Sequence, residues 1–158
     1  MSLSHRIGSD GQLVRLLQIG VVLEEVVEAR AYEHGETLSH LDRATEDLLE
    51  HAATESAKHR ERLTALIDEL EADSVPFDRI QPLVAERYEA DDEFDDVLYD
   101  QLCSEETAYK FYDDLIAAIE SSEMDFSVDH ERLLTVLSEI RADEAEGVED
   151  VTRLMETQ

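Results

Sequence analysis

The chain has 158 residues, 42% of them hydrophobic, with 5 Gly and 2 Pro, enough for one domain with a sizeable core and too few turn-formers for a strand-rich fold. Asp and Glu number 41 against 13 Lys and Arg, a formal net charge of -28, which repels phosphate backbones and anionic lipid and argues against nucleic acid and membrane surfaces as partners. Cys103 is the one cysteine, so there is no disulfide framework and no Cys-x-x-Cys metal knuckle.

The charge far exceeds the magnitude of roughly 2–8 usual for a small domain. It resembles the acidic surfaces of halophilic proteins, whose self-repulsion is screened by molar salt. The longest apolar run, about Ile19 to Leu23, is far short of a membrane span. Met1 to Gly11 is polar, without the apolar core of a leader. The expectation is a cytoplasmic protein forming a single domain over residues 1–158.

Four amphipathic helices are predicted in chain order. The first runs from about Gly11 to Ser39, with an apolar stripe of Leu13, Leu16, Leu17, Gly20, Leu23, Val27, Ala31 and Leu38. The second runs from about Leu41 to Ala72, with Leu41, Leu48, Leu49, Ala52, Leu63, Leu66, Ile67 and Leu70 on one face. A connection of about twenty residues follows, long for a bundle, with Pro76, Pro82 and a short helix near Leu83 to Tyr88. The third helix runs from about Asp92 to Ser121, with Phe94, Val97, Leu98, Leu102, Ala108, Tyr109, Tyr112, Leu115 and Ile119 as its stripe. The fourth runs from about Val128 to Met155 behind Ser127 as N-cap, with Leu133, Val136, Leu137, Ile140, Val148, Val151 and Leu154 facing inward.

Short links make helices 1 and 2, and helices 3 and 4, antiparallel hairpins, and the long link joins the hairpins as a crossover. The fold class is therefore all-α, an antiparallel four-helix bundle. Superposing Glu24 on Glu105 also aligns Leu17 with Leu98, Val27 with Ala108 and Leu38 with Ile119, a weak internal repeat.

Each helix places one ionisable residue inside its own apolar stripe: Glu24, His59, Glu105 and Glu144. Glu55 and Ser56 flank His59, while Glu25 and Glu106 point away from their stripes. Such groups are costly to bury unless they are paired or bind a metal. Counted from the turns at about 1.5 Å per residue, all four lie near the middle of the bundle. Carboxylates with an imidazole suit iron, manganese or zinc. His34 lies in the first stripe but too far along the axis to join them.

With these residues in place, the chain resembles the ferritin-like superfamily, in the style of rubrerythrin- and bacterioferritin-type di-iron domains, over about Gln12 to Met155. In that family helices 1 and 3 each give a Glu, and helices 2 and 4 each give Glu-x-x-His. The resemblance implies metal ligation by Glu24, with Glu25 as its rival, and by Glu105, which is followed by Ala108 and Tyr112 as in the family's third helix. Helix 2 reads Ser56-Ala57-Lys58-His59, so the histidine is kept and the glutamate is a serine, for which Glu55 is the substitute. Helix 4 reads Glu144-Ala145-Glu146-Gly147, so the glutamate is kept and the histidine is a glycine. The implied function is iron binding with iron or peroxide oxidoreductase activity, in a homodimer. The alternative is a ferritin-like scaffold that has lost the site and works by self-association or partner binding.

Overall fold

A computed structural model of the chain describes residues 7–37, 42–76, 78–79 and 97–157. The helices are α1 Asp10–Thr37, α2 Arg43–Glu69, α3 Val97–Glu120 and α4 His130–Glu156. No strand occurs among the described residues. No helix is long and apolar enough to cross a membrane among them either. The expected short helix at Leu83 to Tyr88, the expected start of the third helix at Asp92, and Leu38, Leu41 and Phe94 lie outside the described residues.

Local chemistry sets the helix ends. Asp42 caps α2, its Oδ1 accepting from the Thr45 backbone N–H at 2.7 Å. Ser127 does not cap α4 as expected, because the N-cap position falls to Asp129, which makes no side-chain cap bond. Ser127 is used across the bundle end instead. Its Oγ accepts from the Glu71 N–H at 2.8 Å and donates to Asp10 Oδ2 at 2.5 Å, tying the start of α1 to the segments after α2 and before α4.

Contacts between helices fix their directions. Along α1 and α2, Glu28 pairs with Arg60, while Gln18, further back on α1, bonds Val75 beyond the end of α2. Along α1 and α3, Glu24 meets Tyr112 and Arg30 meets Asp100. Along α2 and α4, Arg62 meets Glu139 and Glu69 meets Arg132. Along α3 and α4, Asp113 meets Arg141 and Glu105 meets Gly147. In every couple the numbering falls on one helix as it rises on the other, so all four neighbouring pairs are antiparallel. Helices α2 and α3 consequently run the same way. The chain between Glu69 and Val97 has to pass from one end of the bundle to the other, as a long crossover does.

The apolar core occupies one half of the bundle. Leu13, Leu17, Leu63, Leu66, Leu115 and Leu137 are fully buried there. At the opposite end the apolar cluster shrinks to Ala31, Leu49 and Val97, with Leu48 and Ala53 against them. Gly20 marks the border, since a Cβ there would meet Leu63 Cδ1 at 3.2 Å and Phe111 Cε1 at 3.3 Å. Its missing side chain lets α1 close on α2 and α3 just below the polar half.

Tyr109 is not in the core as expected; it is 38% exposed. The buried face of α3 is centred on Gln101, Ser104, Glu105 and Ala108. Tyr109 stands about 100° around the helix from Ala108. An apolar-stripe reading drifts toward Leu102 and Tyr109 because the true face is half polar.

Candidate metal centre

Four residues, one from each helix, converge where the apolar half ends. Glu24, His59, Glu105 and Glu144 are all buried. Glu25, the rival of Glu24, is only half-buried. The ring of His59 is the hub. Its Nδ1 lies 3.3 Å from Glu24 Oε1 and 3.1 Å from Glu144 Oε1. Its Nε2 lies 2.8 Å from Asp143 Oδ2.

The carboxylates are held in place from outside the cluster. Tyr112 Oη donates to Glu24 Oε1 at 2.7 Å. Gln101 Nε2 donates to Glu105 Oε1 at 2.9 Å. Glu105 also hydrogen-bonds Glu144 and lies against Gly147, where a Cβ would stand 2.6 Å from its Oε2. The glycine that replaces the expected histidine thus leaves room that Glu105 fills. Ser56, where a glutamate was expected three residues before His59, is buried on α2.

Burial raises the pKa of Glu144 well above the usual carboxylate value, and the charge of Glu24 and the nearness of Glu105 push it the same way. Burial raises Glu105 too, against the lowering effect of its bonds to Glu144 and Gln101. For His59, burial acts to lower the pKa, but the hydrogen bonds and charges of Glu24, Asp143 and Glu55 outweigh it and the net shift is upward. Glu105 and Glu144 therefore hold protons that exposed carboxylates would release.

Glu55 lies on the other edge of the ring. Ligand atoms of Glu24, His59 and Glu144 form one group within 4.8 Å of one another, and those of Glu55, His59 and Asp143 form a second. Burial, the charge of Asp143 and weaker opposing effects of His59 and His51 bring Glu55 to about 6. The structure thus unites Glu24, His59, Glu105 and Glu144 and sets Glu55 apart from Glu24 and Glu144. His34 stands away from them, bonded through Nε2 to Asp100 at 2.8 Å.

Asp143 was missed by the sequence reading. It is adjacent to Glu144 and its side chain is 41% exposed, so it falls outside the apolar stripe. The Asp143-Glu144 pair on a helix facing His59 is the signal that would have found it.

The residues suit a cation by an internal criterion. Among the described residues, Glu24 Oε2 is the one buried side-chain polar atom without a hydrogen-bond partner. Either a proton on a neighbouring carboxyl or a cation would satisfy it. Nδ1 of His59 faces the group while Nε2 faces the Asp143 carboxylate, the orientation that a carboxylate behind the ring imposes on a metal-ligating histidine.

In comparisons with known proteins, no family model, no curated protein and no solved structure matches this chain.

Proposed function

We propose that the chain is a single ferritin-like unit that binds one divalent metal ion, iron foremost, through Glu24, His59 Nδ1 and Glu144, with Glu105 closing the group. The observation that carries this reading is the convergence of Glu24, His59 and Glu144 in the buried interior, with Glu24 Oε2 unsatisfied. Carboxylate oxygens with one imidazole nitrogen suit iron(II), with manganese and zinc as competitors. One ion rather than two follows from the two departures. Ser56 gives no bridging carboxylate, and Glu105 takes the space beside Gly147 that a second imidazole would need.

A bound iron would supply one-electron redox chemistry at the centre. The chain's own residues supply the rest. Asp143 orients the His59 ring and raises its basicity as a ligand. Tyr112 fixes the rotamer of Glu24. The apolar half below and the closely packed helices keep bulk water out, which strengthens every electrostatic interaction inside. Glu144 gives up its proton as a cation takes its place, so loading releases protons. A single centre supports oxidoreductase activity by one-electron steps and needs a separate electron donor. A homodimer accompanies this reading as the habit of such bundles, and light scattering in high salt tests it.

The deciding experiment is metal stoichiometry after anaerobic loading with iron(II) in molar salt. Once excess iron(II) is removed, the parent should hold about one tightly bound ion per chain, lost in both His59→Ala and Glu144→Ala. About two ions, both lost in the variants, would overturn the single-ion reading. No ion in the parent would remove the metal altogether.

The second reading is a scaffold that keeps the fold without the chemistry. The hydrogen bonding of Glu144 with Glu105, and its raised pKa, favour it, since carboxylates that share protons can be buried without a metal. Under it, Glu24→Ala binds no less metal than the parent and is at least as stable.

A further inference from the structure

We propose that Glu55 and Asp143, with His51 beside them, form a second divalent-cation site on the outer edge of the His59 ring, through which ions reach the buried cluster. The two sites stand back to back across one imidazole. On the inner edge, Nδ1 faces Glu24 and Glu144, whose side chains are 0% and 4% exposed. On the outer edge, Nε2 faces Asp143 at 2.8 Å, and the Asp143 side chain is 41% exposed. Glu55 lines the same cavity as His59 and Asp143, its carboxylate within 4.8 Å of an Asp143 oxygen and a ring nitrogen of His59. His51, one turn earlier on α2, places its Nε2 3.1 Å from Glu55 Oε2.

These groups line a cavity of about 290 Å³ together with Thr54, Lys58 and Arg62. The cluster is not merely acidic: it offers two carboxylates from two helices and an exposed imidazole. That donor set suits first-row divalent ions. Of the two cationic side chains on the cavity wall, Arg62 is engaged by Glu139 at 2.5 Å, which draws its charge away from Glu55 and Asp143. Glu55 and Asp143 repel one another, and a cation between them removes that repulsion.

The position also suggests antagonism between the sites. Asp143 accepts from Nε2–H and so strengthens Nδ1 as a ligand on the inner side. An ion held by Asp143 on the outer side withdraws that support. Outer occupancy is then favoured while the inner group is empty and disfavoured once it is filled, which is what a transit site requires. The outer site stands on its own residues; its role in loading rests on the buried cluster binding metal.

Cobalt(II) tests both parts, because its visible absorption reports coordination and it does not react with oxygen on the timescale of mixing. At saturating cobalt(II) in molar salt the parent should bind one ion tightly and a second about tenfold more weakly, Glu144→Gln about one, and the double variant His51→Ala/Glu55→Gln about one. The double variant should also fill its remaining site about tenfold more slowly, having lost the charge that concentrates cations at the cavity mouth. Far-UV circular dichroism checks that each variant is folded. If the double variant keeps the parent's stoichiometry while Glu144→Gln loses an ion, the outer site is overturned and the buried one stands. If the double variant loses an ion and Glu144→Gln loses none, the outer site stands and the buried one falls. A lost ion with an unchanged loading rate overturns the transit role.

Discussion

The two halves of the bundle solve opposite problems. Below Gly20 the four helices meet through leucines, isoleucines and valines at no more than a few per cent exposure. Above it, the same helices bury Glu24, Ser56, His59, Asp100, Gln101, Ser104, Glu105 and Glu144. The lower half gains free energy from every side chain it removes from water. The upper half spends it on desolvation and recovers it only through pairing, shared protons or a cation. The difference teaches that fold and chemistry occupy separate lengths of the same helices, so substitutions in the two halves should behave differently.

The largest effect is expected in the lower half. Leu17→Ala or Leu137→Ala removes a fully buried side chain and should cost about 2–5 kcal/mol in denaturant unfolding. A cost below about 1 kcal/mol would show that the lower half does not carry the stability assigned to it.

Next comes the buried ion pair at the top. Arg30 reaches Asp100 through Nε at 3.2 Å and Nη2 at 2.6 Å, and His34 approaches the same carboxylate. Arg30→Ala leaves Asp100 buried without its main partner and should cost about 3 kcal/mol. The double variant Arg30→Met/Asp100→Leu should recover most of that, because neither charge is then left alone. A double variant as unstable as the single one would mean that this pair supplies packing the lower half cannot replace.

Metal should reverse the balance in the upper half. At a free concentration about a hundred times its dissociation constant, a divalent ion should add about 2.7 kcal/mol to the unfolding free energy, and none of it in His59→Ala. Thermal shifts in matched buffers read this directly.

Acidity should act in the opposite sense on metal-free protein. Glu144 and Glu105 titrate above 4.5 in the folded state, and Glu55 at about 6. A carboxyl whose folded pKa is raised binds its proton more tightly when folded. Its contribution is complete below the unfolded pKa and is lost as pH rises through the folded one. His59, raised from 6.5, behaves likewise. Metal-free stability should therefore fall from about pH 4.5 upward, by at most about 1.4 kcal/mol per pH unit for each proton. Metal affinity should rise over the same range as protons are displaced. Glu144→Gln should flatten the stability profile, and a profile as steep as the parent's would remove Glu144 as the proton carrier.

Sequence periodicity reached the fold and the buried polar cluster for one reason. Glu24, His59, Glu105 and Glu144 are polar interruptions in stripes that are otherwise apolar, so each stands out against its neighbours. Gln18 is as deeply buried, yet its role, bonding both backbone groups of Val75, depends on a segment remote in sequence. Asp100, Gln101 and Ser104 were missed because on that stretch of α3 the buried face itself is polar and no apolar stripe remains to be interrupted. Asp143 was missed because it reaches His59 from the flank of α4. Periodicity reports which face is dry, and it fails where a buried face is satisfied by partners on other helices.

The smallest expected effect is the one that most sharpens the comparison. Gly147 lies in the upper half, where a Cβ would stand 2.6 Å from Glu105 Oε2 and 2.7 Å from its Cδ. The obstacle is the end of a flexible side chain, so the carboxylate moves rather than the helix. Gly147→Ala should gain helix propensity of up to about 1 kcal/mol and lose a similar amount by disturbing the Glu105–Glu144 contact, leaving metal-free stability within about 0.5 kcal/mol of the parent. Metal affinity should nonetheless fall by roughly tenfold, as expected when a group that positions a ligand is displaced. Calorimetric titration with cobalt(II) beside a denaturation curve separates the two quantities. Unchanged affinity would place Glu105 outside the centre, and the ion would then rest on Glu24, His59 and Glu144 alone.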